Sequence, residues 1–230
     1  MAISEDHVLE NLAAIRARIA RAAERAGRDP GEVLLVAAAK TVAASTVRVV
    51  AAAGVDAIGE NYVPELRDIR AQLPDLPVAW HFIGTLQAGT AHHVADLSDV
   101  VETVAGGHAT QRLAGRADRA GRTLDVLIEV DLMGGRAGAA PDALDAVARQ
   151  IGSLGGLRLR GLMTLPPPTP TAEEARPWFI RLRELREALR GSHPDVVELS
   201  MGMSLDYEVA VEEGATMVRV GTALFGPRAP

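Results

Sequence analysis

The chain of 230 residues carries 24 basic side chains, and all but one are arginine; the exception is Lys40. Lys40 closes the apolar run VLLVAAAK, residues 33–40. As a surface charge, lysine does the work of arginine, and a strand-end lysine ordinarily snorkels into solvent. Its amine can also do what a guanidinium cannot, which is to condense with a carbonyl. A lone lysine at a dry, apolar position therefore points to Schiff-base chemistry. Two other stretches suit a phosphate. SMGMS, residues 200–204, and RVGT, residues 219–222, combine glycines with hydroxyls and backbone N–H groups. Glycine there ordinarily serves a turn, but it also lets the backbone approach a ligand closely.

Positioning these groups falls to a regular alternation of elements. Short apolar runs, expected as buried parallel strands, cover 33–39, 55–58, 78–83, 99–104, 124–130, 157–163, 195–200 and 216–220. Amphipathic stretches at helical spacing cover 5–26, 43–53, 60–72, 86–96, 109–120, 141–152, 172–190 and 204–213. Strands separated by helices demand parallel pairing with right-handed crossovers. Eight such units predict an α/β fold of the single (β/α)8 TIM-barrel type, with a doubly wound open sheet as the alternative. The extra N-terminal helix, 5–26, would stand in for the helix missing after the last strand. No linker or composition break divides the chain, so residues 1–230 are expected to form one domain.

In such a barrel the chemistry lies at the C-terminal strand ends, and phosphates bind the loops after strands 7 and 8. This puts Lys40 beside the loops that carry Ser204 and Thr222. A carbonyl compound with a phosphate suggests pyridoxal 5′-phosphate (PLP), or the sugar-phosphate substrate of a cofactor-free Schiff-base aldolase. The histidines match no zinc pattern. His92 and His93 are neighbours on a helix, should diverge by about 100° and should lie at the surface. His81 sits inside the apolar run VAWHFI, either as a hydrogen-bonded barrel-interior residue or as part of a cofactor shell. No G-x-S-x-G nucleophile elbow occurs.

Composition narrows the class. Cysteine is absent, which excludes disulfides and thiolate metal sites. Net charge is −6 with arginines scattered among acids, unlike a nucleic-acid binder. RPWFIRLRELREALR, residues 176–190, suggests a solvated helix face laced by local ion pairs. The N-terminus lacks the apolar core of a signal peptide, and no run reaches membrane-spanning length. A cytoplasmic protein, expected to be monomeric, is the default.

AAAKT, GENYVPE, WHFIGTLQ, LRGLMT and the long block SMGMSLDYEVAVEEGATMVRVGTALFG together resemble the pyridoxal phosphate homeostasis proteins, the YggS/PROSC family. The resemblance runs from about residue 5 to residue 226. It implies a PLP barrel of fold type III, like the N-terminal domain of alanine racemase. By the same resemblance, Lys40 would hold PLP as a Schiff base, and Ser204, Gly221 and Thr222 would hold its phosphate. Arg219 would face the pyridine nitrogen; Asn61 and His81 would lie in the surrounding shell, with Ser200 and Met201 contributing. The family implies a role in vitamin B6 homeostasis, with PLP-dependent apo-enzymes as recipients.

Several positions depart from the family pattern. Thr85 stands for the usual proline, and Ala88-Gly89-Thr90 for Ser-Asn-Lys. Val42 and Arg136 occupy places where lysine is common, so a handover requiring a second lysine has no ammonium here. A guanidinium donates and cannot accept, so Arg219 should leave the pyridine nitrogen unprotonated and the ring a weak electron sink. An alanine racemase also uses a tyrosine from a C-terminal β domain, which is not expected here. The only tyrosines are Tyr62 and Tyr207, and neither is expected to take its place. A carrier without significant turnover is expected, with a low-activity amino-acid racemase or the cofactor-free aldolase as alternatives.

Overall fold

The computed structural model describes residues 4–227, so the ends of the expected 1–230 domain lie outside the described residues. Eight parallel strands close into a barrel in chain order. They are β1 (Leu34–Ala38), β2 (Ala57–Glu60), β3 (Ala79–Phe82), β4 (Val100–Val104), β5 (Leu124–Glu129), β6 (Leu157–Met163), β7 (Glu198–Ser200) and β8 (Met217–Val220). Around them run α1 (Glu5–Arg25), α2 (Ala44–Ala52), α3 (Val63–Gln72), α4 (Ala91–Leu97), α5 (Gly107–Arg119), α6 (Leu144–Gly152), α7 (Arg176–Arg190), α8 (Tyr207–Glu212) and the single turn α9 (Thr222–Phe225). Closure is made by β8 on β1, where Val36 pairs with Arg219.

Alternation along the strands divides the core into two. Ile58, Val101, Ile128 and Leu162 face the helices within the larger cluster. Val36, Ala57, Leu127, Met163 and Met217 form a separate cluster on the barrel axis, with Ala79 and Val100 packed against it. One inward step closer to the C-terminal strand ends, the pattern places Ala38, Gly59, His81, Glu102, Glu129 and Arg219. A Cβ on Gly59 would lie 2.9 Å from Val36 and Ile83, which fixes its inward direction. The barrel thus has an apolar floor and, above it, a polar layer of two acids, Glu102 and Glu129, with His81 and Arg219.

Several element boundaries differ from the sequence expectation. β2 runs 57–60 rather than 55–58, because Asp56 is spent on the turn, its carboxylate accepting the Leu35 N–H at 2.9 Å. Glu60 is therefore a strand residue, and α3 starts only at Val63, with Pro64 in its first turn. The helix expected over 86–96 begins at Ala91; residues before it form a turn in which Thr90 N–H reaches Gln87 O at 3.1 Å. α8 starts at Tyr207, since Asp206 accepts the Met203 N–H at 2.7 Å and holds 203–206 as a loop. α7 starts at Arg176 after a 3-10 turn, Glu173–Ala175.

The N-terminal helix packs against α8, α9 and α2, so it fills the gap beside the last strand as expected, although α9 adds one turn there. Arg18 and Arg25 of α1 pair with Glu208 and Glu212 of α8. The ion pairs expected along α7 occur locally, as in Arg181–Glu184, but Arg176 also reaches Glu212 and Glu213 at 2.7 Å. His92 and His93 do not diverge: their side chains fold back until the ring centroids are 3.9 Å apart, and both are half-buried. No helix among the described residues is long and apolar enough to cross a membrane.

Candidate functional site at the mouth of the barrel

Lys40 follows β1 in a tight turn closed by the Val42 N–H on Ala39 O at 2.8 Å. The next residue, Thr41, has φ 63°, the left-handed region that a β-branched residue rarely enters. Two contacts hold it there. Its hydroxyl donates to Lys40 O at 2.6 Å, and its N–H donates to Glu65 of α3 at 3.3 Å. Strain of this kind costs on the order of 1–3 kcal/mol and persists where the surroundings over-determine it. The turn leaves the Lys40 amine half-buried, donating to the Tyr62 oxygen at 3.0 Å and standing 4.6 Å from the centroid of the Tyr62 ring.

Across the mouth, the loop after β7 and the start of α9 are joined through Ser204. Its hydroxyl oxygen accepts the N–H groups of Gly221 at 3.3 Å and Ala223 at 3.1 Å. Gly202 makes this loop possible: its φ is +93°, and a Cβ would lie 2.5 Å from the Ala210 methyl. Between these groups lies a cleft of about 290 Å³ lined by Asn61, Ser204, Arg219, Gly221 and Thr222, with Ala38 on the β1 side. That volume is at the small end for ligand pockets. Ile83, Leu165, Met203 and Leu205 supply its apolar wall.

Arg219 forms the floor of the cleft and is only 4% exposed. It donates to Thr164 O at 2.9 Å and to the Ser200 hydroxyl. Ser200 in turn donates to Glu102, whose other carboxylate oxygen is 2.6 Å from His81 Nδ1. Burial lowers the Arg219 guanidinium, and the charges of Glu102, Glu129 and Asp206 oppose that loss. For Glu102, burial pushes the carboxyl up. The His81 bond and charge, the Arg219 charge and the Ser200 hydroxyl outweigh burial and hold it below the usual carboxylate range. Glu129 has no such set of donors, and burial raises it despite the Arg219 and Arg136 charges.

Of the residues singled out from the sequence, Asn61, Ser204, Arg219, Gly221 and Thr222 line one cleft. Lys40 is not among the lining residues; it lies two residues beyond the Ala38 wall, with its amine on Tyr62. His81 and Ser200 lie in the barrel interior, joined to Arg219 through Glu102. Met201 is fully buried in the cluster between barrel and helices. Tyr207 is also remote from the amine: it is 1% exposed in α8, with its ring against Arg18 of α1. The sequence reading passed over Glu102 and Glu129, both buried. The available signal was an acid within an apolar strand, as in VVETV and DVLIEV.

Two hydroxyls and a guanidinium line one cleft, and the Lys40 amine follows the strand that supplies its Ala38 wall. That donor set suits a phosphorylated carbonyl compound with an aromatic nitrogen. The comparisons with known proteins agree in kind. A family model described as alanine racemase, N-terminal domain, matches residues 11–229. The pyridoxal phosphate homeostasis protein of Pseudomonas aeruginosa is 43% identical over 223 residues, with 96% of each chain covered. That of Aquifex aeolicus is 38% identical, covering 95% of this chain and 97% of its own. The structure of PipY from Synechococcus elongatus with PLP bound superposes with a TM-score of 0.85 at 36% identity, covering 95% of this chain and all of PipY. On this agreement of fold and sequence, the chain belongs to the pyridoxal phosphate homeostasis protein family.

Proposed function

We propose that this protein binds PLP in the cleft at the barrel mouth, as a Schiff base on Lys40, and serves intracellular PLP homeostasis and cofactor supply without significant turnover. The observation that carries the reading is the cleft lined by Ser204, Gly221, Thr222 and Arg219, with the only side-chain amine of the chain two residues beyond its Ala38 wall. PLP, when bound, supplies an aldehyde that an amine captures reversibly and a ring that can draw electrons. The residues present fit it. Gly221 leaves room at the junction, since a Cβ there would stand 3.3 Å from Ala38 O. Ser204 and Thr222 would donate to the phosphate, and the Gly221 and Ala223 N–H groups add partial positive charge. Arg219 would donate to the ring nitrogen and Asn61 would flank it.

Arg219 also argues for holding over turnover. A guanidinium has donors only, so it offers the ring nitrogen a hydrogen bond and no proton sink. We expect a monomer acting in the cytoplasm, with PLP-dependent apo-enzymes as recipients. One observation favours the second reading, a weak amino-acid racemase: the Tyr62 hydroxyl lies 3.0 Å from the Lys40 amine and could exchange a proton with it.

Lys40 is the only side-chain amine in the chain, which makes the test clean. Protein incubated with PLP, reduced with borohydride and digested should carry the pyridoxyl group on the Lys40 peptide. Absence of the label, or its presence elsewhere, would count against the reading. Incubation with L-alanine in D2O separates the two readings: the carrier leaves Cα hydrogen in place, whereas Lys40-dependent deuterium uptake with racemisation would establish turnover.

A further inference from the structure

We propose that Glu102 is a positioning residue: acting through Ser200, it holds Arg219 aimed into the cleft, and it fixes a proton on His81 Nδ1. The inference rests on the proposed PLP site for its functional meaning, while the geometry stands without it. Glu102 is fully buried on β4, 0% exposed, and faces groups from three other strands. These are His81 on β3, Ser200 on β7 and Arg219 on β8, with the Arg219 Nη1 3.7 Å from its carboxylate. Glu129 on β5 and Asp206 in the loop after β7 are the other charges that act on Arg219.

The direction of each hydrogen bond follows from donor counting. Arg219 can only donate, so Ser200 Oγ accepts from it. The one hydroxyl hydrogen of Ser200 then goes to Glu102. The other Glu102 oxygen accepts from His81, so Nδ1 must carry a proton. Glu102 is thus the acceptor at both ends of the chain of contacts. The bonds from Arg219 to Ser200 and Thr164 use two of the five guanidinium N–H groups. The rest remain for a ligand in the cleft that Arg219 lines. Burial makes the arrangement exacting, because an unmatched donor here has no water to turn to.

Glutamine has the same shape and the wrong donors. With its NH2 toward Ser200, the serine oxygen meets two donors and its own hydrogen is left without an acceptor, which loosens the link to Arg219. With its NH2 toward His81, the proton must leave Nδ1. Aspartate keeps two accepting oxygens, and Ser200→Ala cuts only the link to Arg219.

The test uses the full chain with 15N-labelled histidine and arginine, before and after addition of PLP. In wild type, His81 should show a protonated Nδ1 and Arg219 a slowly exchanging guanidinium signal. Glu102→Gln should lose at least one of these signatures and raise the Kd for PLP about tenfold, as expected for the loss of one charged hydrogen bond. Glu102→Asp should restore the His81 signature. Ser200→Ala should leave that signature intact, lose the Arg219 signal and weaken PLP binding, which keeps the test alive should Glu102→Gln not fold. Both signatures and a PLP Kd within twofold of wild type in Glu102→Gln, or an unchanged Arg219 signal and Kd in Ser200→Ala, would overturn the proposal. Loss of the signatures in apo protein that never takes up PLP would support the positioning role and sink only the cofactor reading.

Discussion

The Lys40 amine donates a 3.0 Å hydrogen bond to the Tyr62 hydroxyl while standing 4.6 Å from the centre of the Tyr62 ring. One aromatic side chain therefore supplies both a hydrogen-bond acceptor and a cation–π face to the only side-chain amine of the protein. Tyr62 is itself 48% exposed, so this contact can open without disturbing the core. The relationship suits an amine that must be held near a cleft and then released to react.

Tyr62→Phe keeps the ring and removes the acceptor; Tyr62→Ala removes both. We expect the first to change the PLP Kd by no more than about tenfold and the second to weaken it further, in line with about 0.5–1.5 kcal/mol for a hydrogen bond and about 0.5–1 kcal/mol for an exposed cation–π contact. Absorbance titration measures both. Tighter binding in Tyr62→Ala than in wild type would mean that Tyr62 blocks the amine rather than presents it.

Ser204→Ala removes the hydroxyl that joins the loop after β7 to α9. If that junction holds the phosphate, the variant should lose about tenfold or more in affinity for PLP, as for a lost hydrogen bond to a charged group. Binding of pyridoxal, which lacks the phosphate, should be nearly unchanged. An equal loss for both compounds, measured by titration, would mean that Ser204 acts on the fold and not on the phosphate.

Glu60 faces the helix layer, 1% exposed, with one carboxylate oxygen lacking any partner. Burial, then the nearby Glu65 charge, pushes its carboxyl from 4.5 to about 7, against an opposing bond from the Asn61 backbone. The unfolded chain releases this proton near 4.5 and the folded protein only near 7, so the folded state holds more protons between those values. Its contribution to stability is complete below pH 4.5 and is lost as pH rises through 7. The ceiling on that loss is about 3 kcal/mol. Glu60→Gln should flatten the decline in urea-unfolding stability between pH 5 and pH 8. An unaltered slope would show that Glu60 ionises freely in the folded protein.

Arg176 binds three carboxylates, Glu173 beside it, Glu212 at the end of α8 and Glu213 just past it, all at 2.7 Å. Shared geometry and partial burial make such a network worth more than an isolated surface pair. Arg176→Ala should destabilise the protein by about 1–2 kcal/mol in urea unfolding, with the difference shrinking in 1 M salt. A salt-independent loss would point to the packing of the side-chain stem instead.

Much of the fold was legible because the signals were local. The apolar runs marked every strand to within a few residues, and the count of eight gave the barrel. Lys40 stood out because its chemistry differs from that of every other cation in the chain. The interior polar layer was hidden because it depends on register. Glu60 and Glu102 are alike in sequence in that each is an acid in a short, largely apolar run. One residue of phase sends Glu60 toward the helices and Glu102 onto the barrel axis. The contact between Glu102 and Ser200 spans 98 positions of sequence, a distance over which no periodicity speaks. The fold-back of His92 on His93 was missed for a related reason, since helical phase fixes the Cβ direction and leaves the side-chain torsions free.

The central claim is that Lys40 holds PLP covalently, and the visible absorbance of the protein mixed with PLP tests it most directly. Wild type should develop a Schiff-base band that persists through gel filtration. Lys40→Arg, which keeps the charge and loses the amine, should not. A persistent band of equal intensity in Lys40→Arg, or none in wild type under saturating PLP, would contradict the account.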